Sequence, residues 1–482
     1  MRHERFGAML ALAAMLAGCG GDGGSSASTS SGGSAGGGTA ATPAPTASGC
    51  SLRERQDWAA AQLREWYLFP ETLPTSLSPA GYSTVDDYID ALTKTARDQS
   101  KDRYFTHLAS IKEENAYYDS GESAGFGFRI TIASGNSALT VTESFEGAPA
   151  LAAGVDRGAQ IVGIGTSSSD VRSIAAITAA DPTYGIGNAL GPNTTGTTRV
   201  FRLQTANGGT RDVSIAKAVY TLTPISSRYG VQIINDGDQK VGYLNLRTFI
   251  NTADAQLRSA FDGFRQQGIT RVIIDLRYNG GGLINTAELA GDLLGGNRQT
   301  SDVFHYTTFR PEKSSNNETR YFAPQSQSIA PTRIAFIGTR GTASASELLI
   351  NAMSPYLGTS MALVGTNTYG KPVGQIALDR AQCDDRLRVV ALATQNSARQ
   401  GGYYTGLAST LGTTCQASDD LSRPMGDPAE SSTRAALDFL AGRSCTSITA
   451  RSSDATSFSA SSRELVRAAR PSAAQREVPG LF

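Results

Sequence analysis

Histidine is scarce in this 482-residue chain, which has only His3, His107 and His305. His3 lies in a leader-like start and the other two stand in segments without a recognisable catalytic context, so a Ser-His-Asp arrangement has no support in the sequence. Net charge is absent too. Lysine plus arginine number 43, aspartate plus glutamate number 43, and with no basic run the chain carries no footprint for nucleic acid. Beyond the first residues no apolar stretch reaches the roughly 20 residues that cross a bilayer. The five cysteines fit no zinc spacing, and no motif implies a metal, nucleotide or organic cofactor. What remains, at 40% hydrophobic residues, has ample core for two or three domains.

The beginning reads as a targeting segment. Met1 to Arg5 supplies positive charge, residues 7–17 are apolar, and Leu16-Ala17-Gly18-Cys19 resembles a bacterial lipoprotein cleavage box. The expectation for 1–19 is a signal peptide with lipobox, leaving Cys19 as a lipidated residue and a lipid anchor in the membrane. Gly20 follows Cys19 instead of an aspartate, which favours a periplasm-facing site in the cell envelope, at the outer membrane. Residues 20–49, rich in Gly, Ser, Thr, Ala and Pro, form a flexible linker that cannot bury a core.

Four cysteines lie beyond that start: Cys50, Cys383, Cys415 and Cys445. An even number in an exported protein suggests disulfides, and three pairings are possible. The favoured one joins Cys383 to Cys415 and Cys50 to Cys445, the second linking the two ends of the folded region.

The stretch 331–375 concentrates the chemistry. Ile334 to Gly338 reads as a buried strand, and from Ser344 the apolar residues Leu348, Leu349, Ala352, Met353 and Tyr356 recur at helical spacing. Ser344 is thereby set at a strand-to-helix junction, where backbone N–H groups of the helix start face the same space. A second strand, Ala362 to Gly365, leads to Lys371, 27 residues after Ser344. A neutral lysine can take the hydroxyl proton and return it to a leaving group, provided burial lowers its pKa. The same residues could equally serve as a helix cap and a loop charge.

Two motifs decide between these readings. Thr342-Ala343-Ser344-Ala345-Ser346-Glu347, then Thr368-Tyr369-Gly370-Lys371 with Gln375 four residues on, resembles the active-site signature of the carboxyl-terminal processing, or tail-specific, serine proteases. Val272 to Gly282, ending Asn279-Gly280-Gly281-Gly282, is similar to that family's strand-plus-glycine segment. The resemblance implies Ser344 as nucleophile, Lys371 as base, Gln375 as the group that orients the lysine, and the amides of Gly282 and Ala345 as the oxyanion hole. Two departures stand out: Pro372 follows the lysine where the family usually has glycine, and the serine-to-lysine segment is about two residues longer than the family's.

Around this centre, 50–120 has a helical pattern with Trp58, Leu63, Trp66 and Tyr67 as core residues. Residues 121–222 are β-rich. The loop Gly125-Phe126-Gly127-Phe128, the short helix in Gly147 to Val155 and the strand around Ile161 resemble a PDZ domain of these proteases, with Gly125 to Phe128 binding the carboxylate of a captured peptide. In 223–445, strands alternate with helices, which implies an α/β core. The resemblance specifies a ClpP-like or crotonase-like protease core, with the PDZ-like domain inserted or preceding and a helical region at the N-terminal side. Phe249, Tyr403 and Tyr404 are candidates for cleft lining, with ordinary packing the simpler expectation. Residues 446–482 read as a loosely ordered tail. Its apolar Val478 to Phe482 could occupy the chain's own PDZ-like groove, an unstructured end being the plainer expectation.

The functional expectation is a periplasm-facing lipoprotein endopeptidase whose partners are proteins or peptides with exposed C-termini. A catalytically silent peptide-binding lipoprotein is the alternative, and a hydrolase of small esters is a third reading built on the same nucleophile.

Overall fold

The computed structural model describes residues 48–133, 135, 137–448 and 463–482. The leader, Cys19 and nearly all of the linker lie outside them. Among the described residues no helix is long and apolar enough to cross a membrane.

The apolar runs near the candidate serine become the centre of a six-stranded sheet. Its order is Val231–Asp236, Gln239–Asn245, Arg271–Asp275, Arg333–Gly338, Met361–Gly365 and Thr414–Gln416. The first pair is antiparallel and every later pair parallel. Parallel strands are covered on both faces, which is why these runs are apolar without alternation. Val272, Ile274, Ile334, Phe336 and Leu363 face the helices Ala253–Gln266, Ile284–Leu294 and Ala345–Leu357. Ile273, Ala335, Ile337, Ala362 and Val364 point the other way, toward Ser431–Leu440. The two-residue side-chain period of a strand thus builds two cores from one sequence.

A second sheet of five strands is antiparallel throughout. Asp385–Gln395 is its hub, pairing with His107–Ser110, Val303–Phe309 and Val373–Arg380. The N-terminal helices pack on it: Leu63, Tyr67 and Ile89 share one core with Val373, Leu387, Val389 and Val390. The region 50–120 therefore differs from a purely helical preface, because it contributes the strand His107–Ser110 to the five-stranded sheet. Backbone hydrogen bonding from Leu68 N–H to the Val390 carbonyl extends the same junction.

The β-rich part forms its own sheet, with Arg463–Leu465, Phe128–Ala133, Leu139–Ser144, Gln160–Gly165, Thr198–Gln204 and Thr210–Ala216 in that order. Its core gathers Phe126, Phe128, Ile130, Leu139 and Phe201. The chain enters and leaves it through one two-stranded ribbon, Glu122–Gly125 against Ala218–Thr221. A buried ion triad joins it to the loop after strand Gln239–Asn245: Glu143 accepts from Arg129 Nη1 at 2.7 Å and from Arg247 Nε at 2.7 Å.

Two expectations are corrected here. The first is the cysteine pairing, which is Cys50 with Cys383 and Cys415 with Cys445. Cys383 occupies the turn of the hairpin on which helix Leu52–Trp66 packs, so the residue just ahead of that helix meets it. Cys415 lies in the edge strand, and the helix crossing the sheet brings the chain back beside it, where Gln416 N–H donates to Thr446 O. Sequence separation alone cannot reveal either return.

The second concerns 446–482, expected to be loosely packed. Residues 463–482 contain a strand and the helix Ala473–Glu477, and bury Val478, Leu481 and Phe482.

Peptide mapping without reductant should recover the Cys50–Cys383 and Cys415–Cys445 peptides. Replacing Cys415 and Cys445 together by serine should lower unfolding stability in urea by about 2–4 kcal/mol, as expected for removing a native cross-link; unchanged stability would mean that this bond contributes nothing to the fold.

Candidate active site

Ser344 follows the loop that ends strand Arg333–Gly338 and precedes helix Ala345–Leu357. Its backbone has φ 55° and ψ −116°, a region that costs a non-glycine residue about 1–3 kcal/mol. Neighbouring bonds hold it there. Ala343 N–H donates to Asn279 O at 3.0 Å, Ser346 Oγ to the same carbonyl at 3.0 Å, and Thr342 Oγ1 to Leu276 O at 2.7 Å. Ser346 is thus fully buried with its hydroxyl occupied, leaving Ser344 as the serine that borders the cavity.

The glycine segment fits beneath it. Gly281 has φ 120°, and a Cβ there would lie 2.8 Å from Ser344 Cβ. Gly282 has φ 132°, and its Cβ would lie 2.1 Å from Phe249 O. Neither position can carry a side chain without displacing the backbone. The amides of Gly282 and Ala345 donate to no protein acceptor among the described residues, and both residues line the same cavity as Ser344. Phe249 is a core residue whose backbone bridges to Gly282.

Lys371 reaches the cavity from the loop after strand Met361–Gly365. Its Nζ donates to Gln375 Oε1 at 2.7 Å and lies 4.9 Å from the Phe105 ring centroid. Gln375 Nε2 in turn donates to Phe105 O at 2.5 Å, so the lysine is aimed by a glutamine that the N-terminal region holds. Burial pushes the Lys371 ammonium below its ordinary value of 10.5, opposed by the negative charges of Glu477 and Asp102 and assisted by Arg476 and Arg388. Pro372 sits where the loop needs no further donor, since Gly370 and Lys371 N–H are both already engaged.

Their acceptor is Glu347. This fully buried carboxylate receives Ser344 N–H at 3.0 Å, Thr368 Oγ1 at 2.6 Å, Gly370 N–H at 2.7 Å and Lys371 N–H at 2.7 Å. Burial raises its pKa and the four donors hold it down. One anion therefore locks the serine turn to the lysine loop. The signal was present in the sequence, since Ser344 and Glu347 stand at capping-box spacing, although a cap alone does not predict the second loop.

Ser344 and Lys371 border one cavity of about 280 Å³, together with Gln375, Gly282 and Ala345. Among the described residues no direct hydrogen bond joins Ser344 Oγ to Lys371 Nζ. His107, without a role in the sequence reading, lines this cavity. Its Nδ1 is 2.7 Å from Phe105 O, its Nε2 has no protein partner, and burial pushes its pKa well below 6.5, keeping the imidazole neutral. Only tertiary pairing brings it there. Gly125 to Phe128 lie elsewhere, on the link from the two-stranded ribbon to the β-rich sheet. Phe126 and Phe128 turn their rings into its core, while the Gly127 and Phe128 amides donate to Phe482 O at 2.8 and 3.3 Å. Tyr403 is buried in the central core and Tyr404 packs on the N-terminal helices, so ordinary packing accounts for both.

With this geometry in hand, residues 240–402 match the family model of peptidase family S41. That segment, about a third of the chain, contains both motifs and is similar to the family over its whole matched length. A carboxyl-terminal-processing peptidase 3, chloroplastic, of Arabidopsis thaliana is 29% identical over 277 residues, covering 55% of this chain and 49% of that protein. A carboxyl-terminal-processing protease of a Picosynechococcus species is 28% identical over 253 residues, covering 52% and 55%. The chain thus spans about half the length of these curated relatives. A crystal structure of a Bacteroides fragilis protein assigned as an S41 protease superposes with TM-score 0.62 at 22% identity, covering 80% of this chain and 97% of that one. The shared fold is mixed α/β.

Glu347→Ala should lower stability by about 3 kcal/mol, because it strands buried donors from two loops. Urea unfolding measures this, and a change within 0.5 kcal/mol, roughly that of a neutral surface substitution, would show that the carboxylate does not lock the loops.

Proposed function

We propose that the chain is a serine endopeptidase of the carboxyl-terminal-processing type that uses a Ser344–Lys371 dyad on exported proteins or peptides. The observation that carries the reading is the single cavity bordered by Ser344, the Gln375-aimed amine of Lys371 and two unengaged amides. The neutral Lys371 amine takes the Ser344 hydroxyl proton as Oγ attacks the scissile carbonyl. The oxyanion forms against the Gly282 and Ala345 amides. Lys371 then returns the proton to the leaving amine, and water repeats the sequence on the acyl-enzyme. Gln375 is a positioning residue that presents one Nζ direction to the serine.

Residues 121–222 act as a PDZ-like module that captures substrate tails by strand addition to Phe128–Ala133. The Gly127 and Phe128 amides support this, since they already hold a backbone oxygen of a docked strand. Residues 50–120 buttress the lysine, and 223–445 form a ClpP-like or crotonase-like catalytic core, a reading supported by a parallel sheet covered on both faces. An envelope location facing the periplasm, lipid-anchored through Cys19 and favoured at the outer membrane, is supported on its oxidising side by the two disulfides.

Mass spectrometry of an unfolded protein with an apolar tail, incubated with the chain and with Ser344→Ala, tests the reading. Fragments from the parent alone are expected. Tail binding without fragments from either would favour the silent binding protein, and ester cleavage alone the small-ester hydrolase.

The pH profile has a definite sign. Because the reactive form of Lys371 is the neutral one and its pKa is lowered, kcat/KM should rise as pH rises through an apparent value below 10.5 and fall away on acidification. Lys371→Arg, permanently charged, should lose about 10²–10⁴-fold. A flat profile, or Lys371→Arg retaining parental activity, would remove the lysine from the mechanism.

A further inference from the structure

One continuous piece of this chain occupies the groove beside Gly127 and forms one wall of the cavity at Ser344, the two sites assigned above. Arg463–Leu465 pairs antiparallel with Phe128–Ala133, Ile130 N–H donates to Gly480 O at 3.0 Å, and Phe482 N–H donates to Phe128 O at 3.0 Å. Phe482 joins the buried cluster of Phe126, Phe128 and Phe201, while Val478 and Leu481 join that of Tyr117, Phe145 and Tyr220. Between these anchors the helix Ala473–Glu477 crosses to the catalytic side. Gly280 N–H donates to Glu477 O at 2.9 Å, Tyr118 OH donates to Glu477 Oε1 at 2.9 Å, and Ala473 N–H donates to Glu113 Oε1 at 3.1 Å. Ala473, Arg476 and Glu477 form one wall of the cavity that Ser344 and Lys371 border. At Gly280 the approach is so close that a Cβ would lie 2.8 Å from Glu477 O and 3.0 Å from Arg476 O.

We propose that residues 472–482 are an intramolecular blocker, a resident ligand of the groove whose docking also walls in the cavity at Ser344 and narrows access to it. The inference rests on the peptidase reading and deepens it by naming the chemistry of the groove's ligand. That ligand is an extended apolar segment with an aromatic anchor, of the type Val-Pro-Gly-Leu-Phe. A substrate tail with the same features displaces the segment from the groove and, in the same event, withdraws Arg476 and Glu477 from the wall of the cavity that Ser344 borders. Capture and opening are one exchange of strands. The reason is physical: both contacts belong to one short segment, so the groove end cannot leave without freeing the backbone that holds the cleft end.

The test uses the full chain and its Leu481→Asp/Phe482→Asp variant, which puts carboxylates where apolar side chains are buried. A fluorescein-labelled Val-Pro-Gly-Leu-Phe peptide, read by fluorescence anisotropy, should bind the variant about tenfold or more tighter than the parent, because the parent's groove is already filled. Labelling of Ser344 by a fluorophosphonate probe should be faster in the variant by a similar factor. In the unaltered parent, saturating unlabelled peptide should accelerate labelling as well, a measurement that does not depend on how the variant folds. Equal peptide affinity in both forms, or parent labelling that the peptide leaves unchanged, would overturn the proposal. If Ser344 is labelled in neither form while the affinity difference persists, the peptidase reading fails and the segment still stands as the groove's occupant.

Discussion

The buried carboxylate of Glu347 is the constraint on which the site depends. It draws donors from the serine turn and from the lysine loop, two pieces of chain separated by a helix and a strand. A buried anion is tolerable only when its lone pairs are satisfied, so displacement of either loop carries a large electrostatic cost. The positions of Ser344 and Lys371 thus follow from backbone bonds to a third residue. This lets the serine keep its unfavourable φ and leaves both residues bordering the cavity.

The lysine amine has a second support, and it comes from the far end of the chain. Gln375 is held by the Phe105 carbonyl, and Arg103 donates to the carbonyls of Tyr369 at 3.0 Å and Tyr404 at 3.3 Å. The N-terminal region, through the loop ahead of strand His107–Ser110, is therefore part of the scaffold around the cavity. Cys50–Cys383 ties the same two regions covalently, and the core around Leu63, Tyr67 and Val390 supplies the non-directional force that keeps them together.

The β-rich module is fastened differently. One ribbon carries the chain into residues 128–216 and out again, and orientation is supplied by Glu143, shared between Arg129 of the module and Arg247 of the loop after strand Gln239–Asn245, with Arg247 also pairing with Glu146 at 2.8 Å. Such buried pairs add little net stability compared with apolar packing, yet breaking one leaves an uncompensated charge, which penalises alternative orientations strongly. The segment 472–482 spans the same junction, so direct hydrogen bonds as well as the ribbon connect the β-rich module to the glycine segment at Gly280.

Much of what borders the cavity was legible in the linear chain. Unalternating apolar runs announced the parallel sheet, helical periodicity placed Ala345–Leu357, and the two motifs picked out Ser344, Gly282, Lys371 and Gln375, because these depend on neighbours within a few residues. What the sequence could not express is closure over long separations. Which cysteines meet, that His107 reaches the cavity, that Glu347 serves two loops, and that Val478 to Phe482 lies buried against Phe128–Ala133 were all settled by packing. Local propensity encodes elements, while the burial of their apolar faces decides which distant polar groups end up within hydrogen-bonding reach.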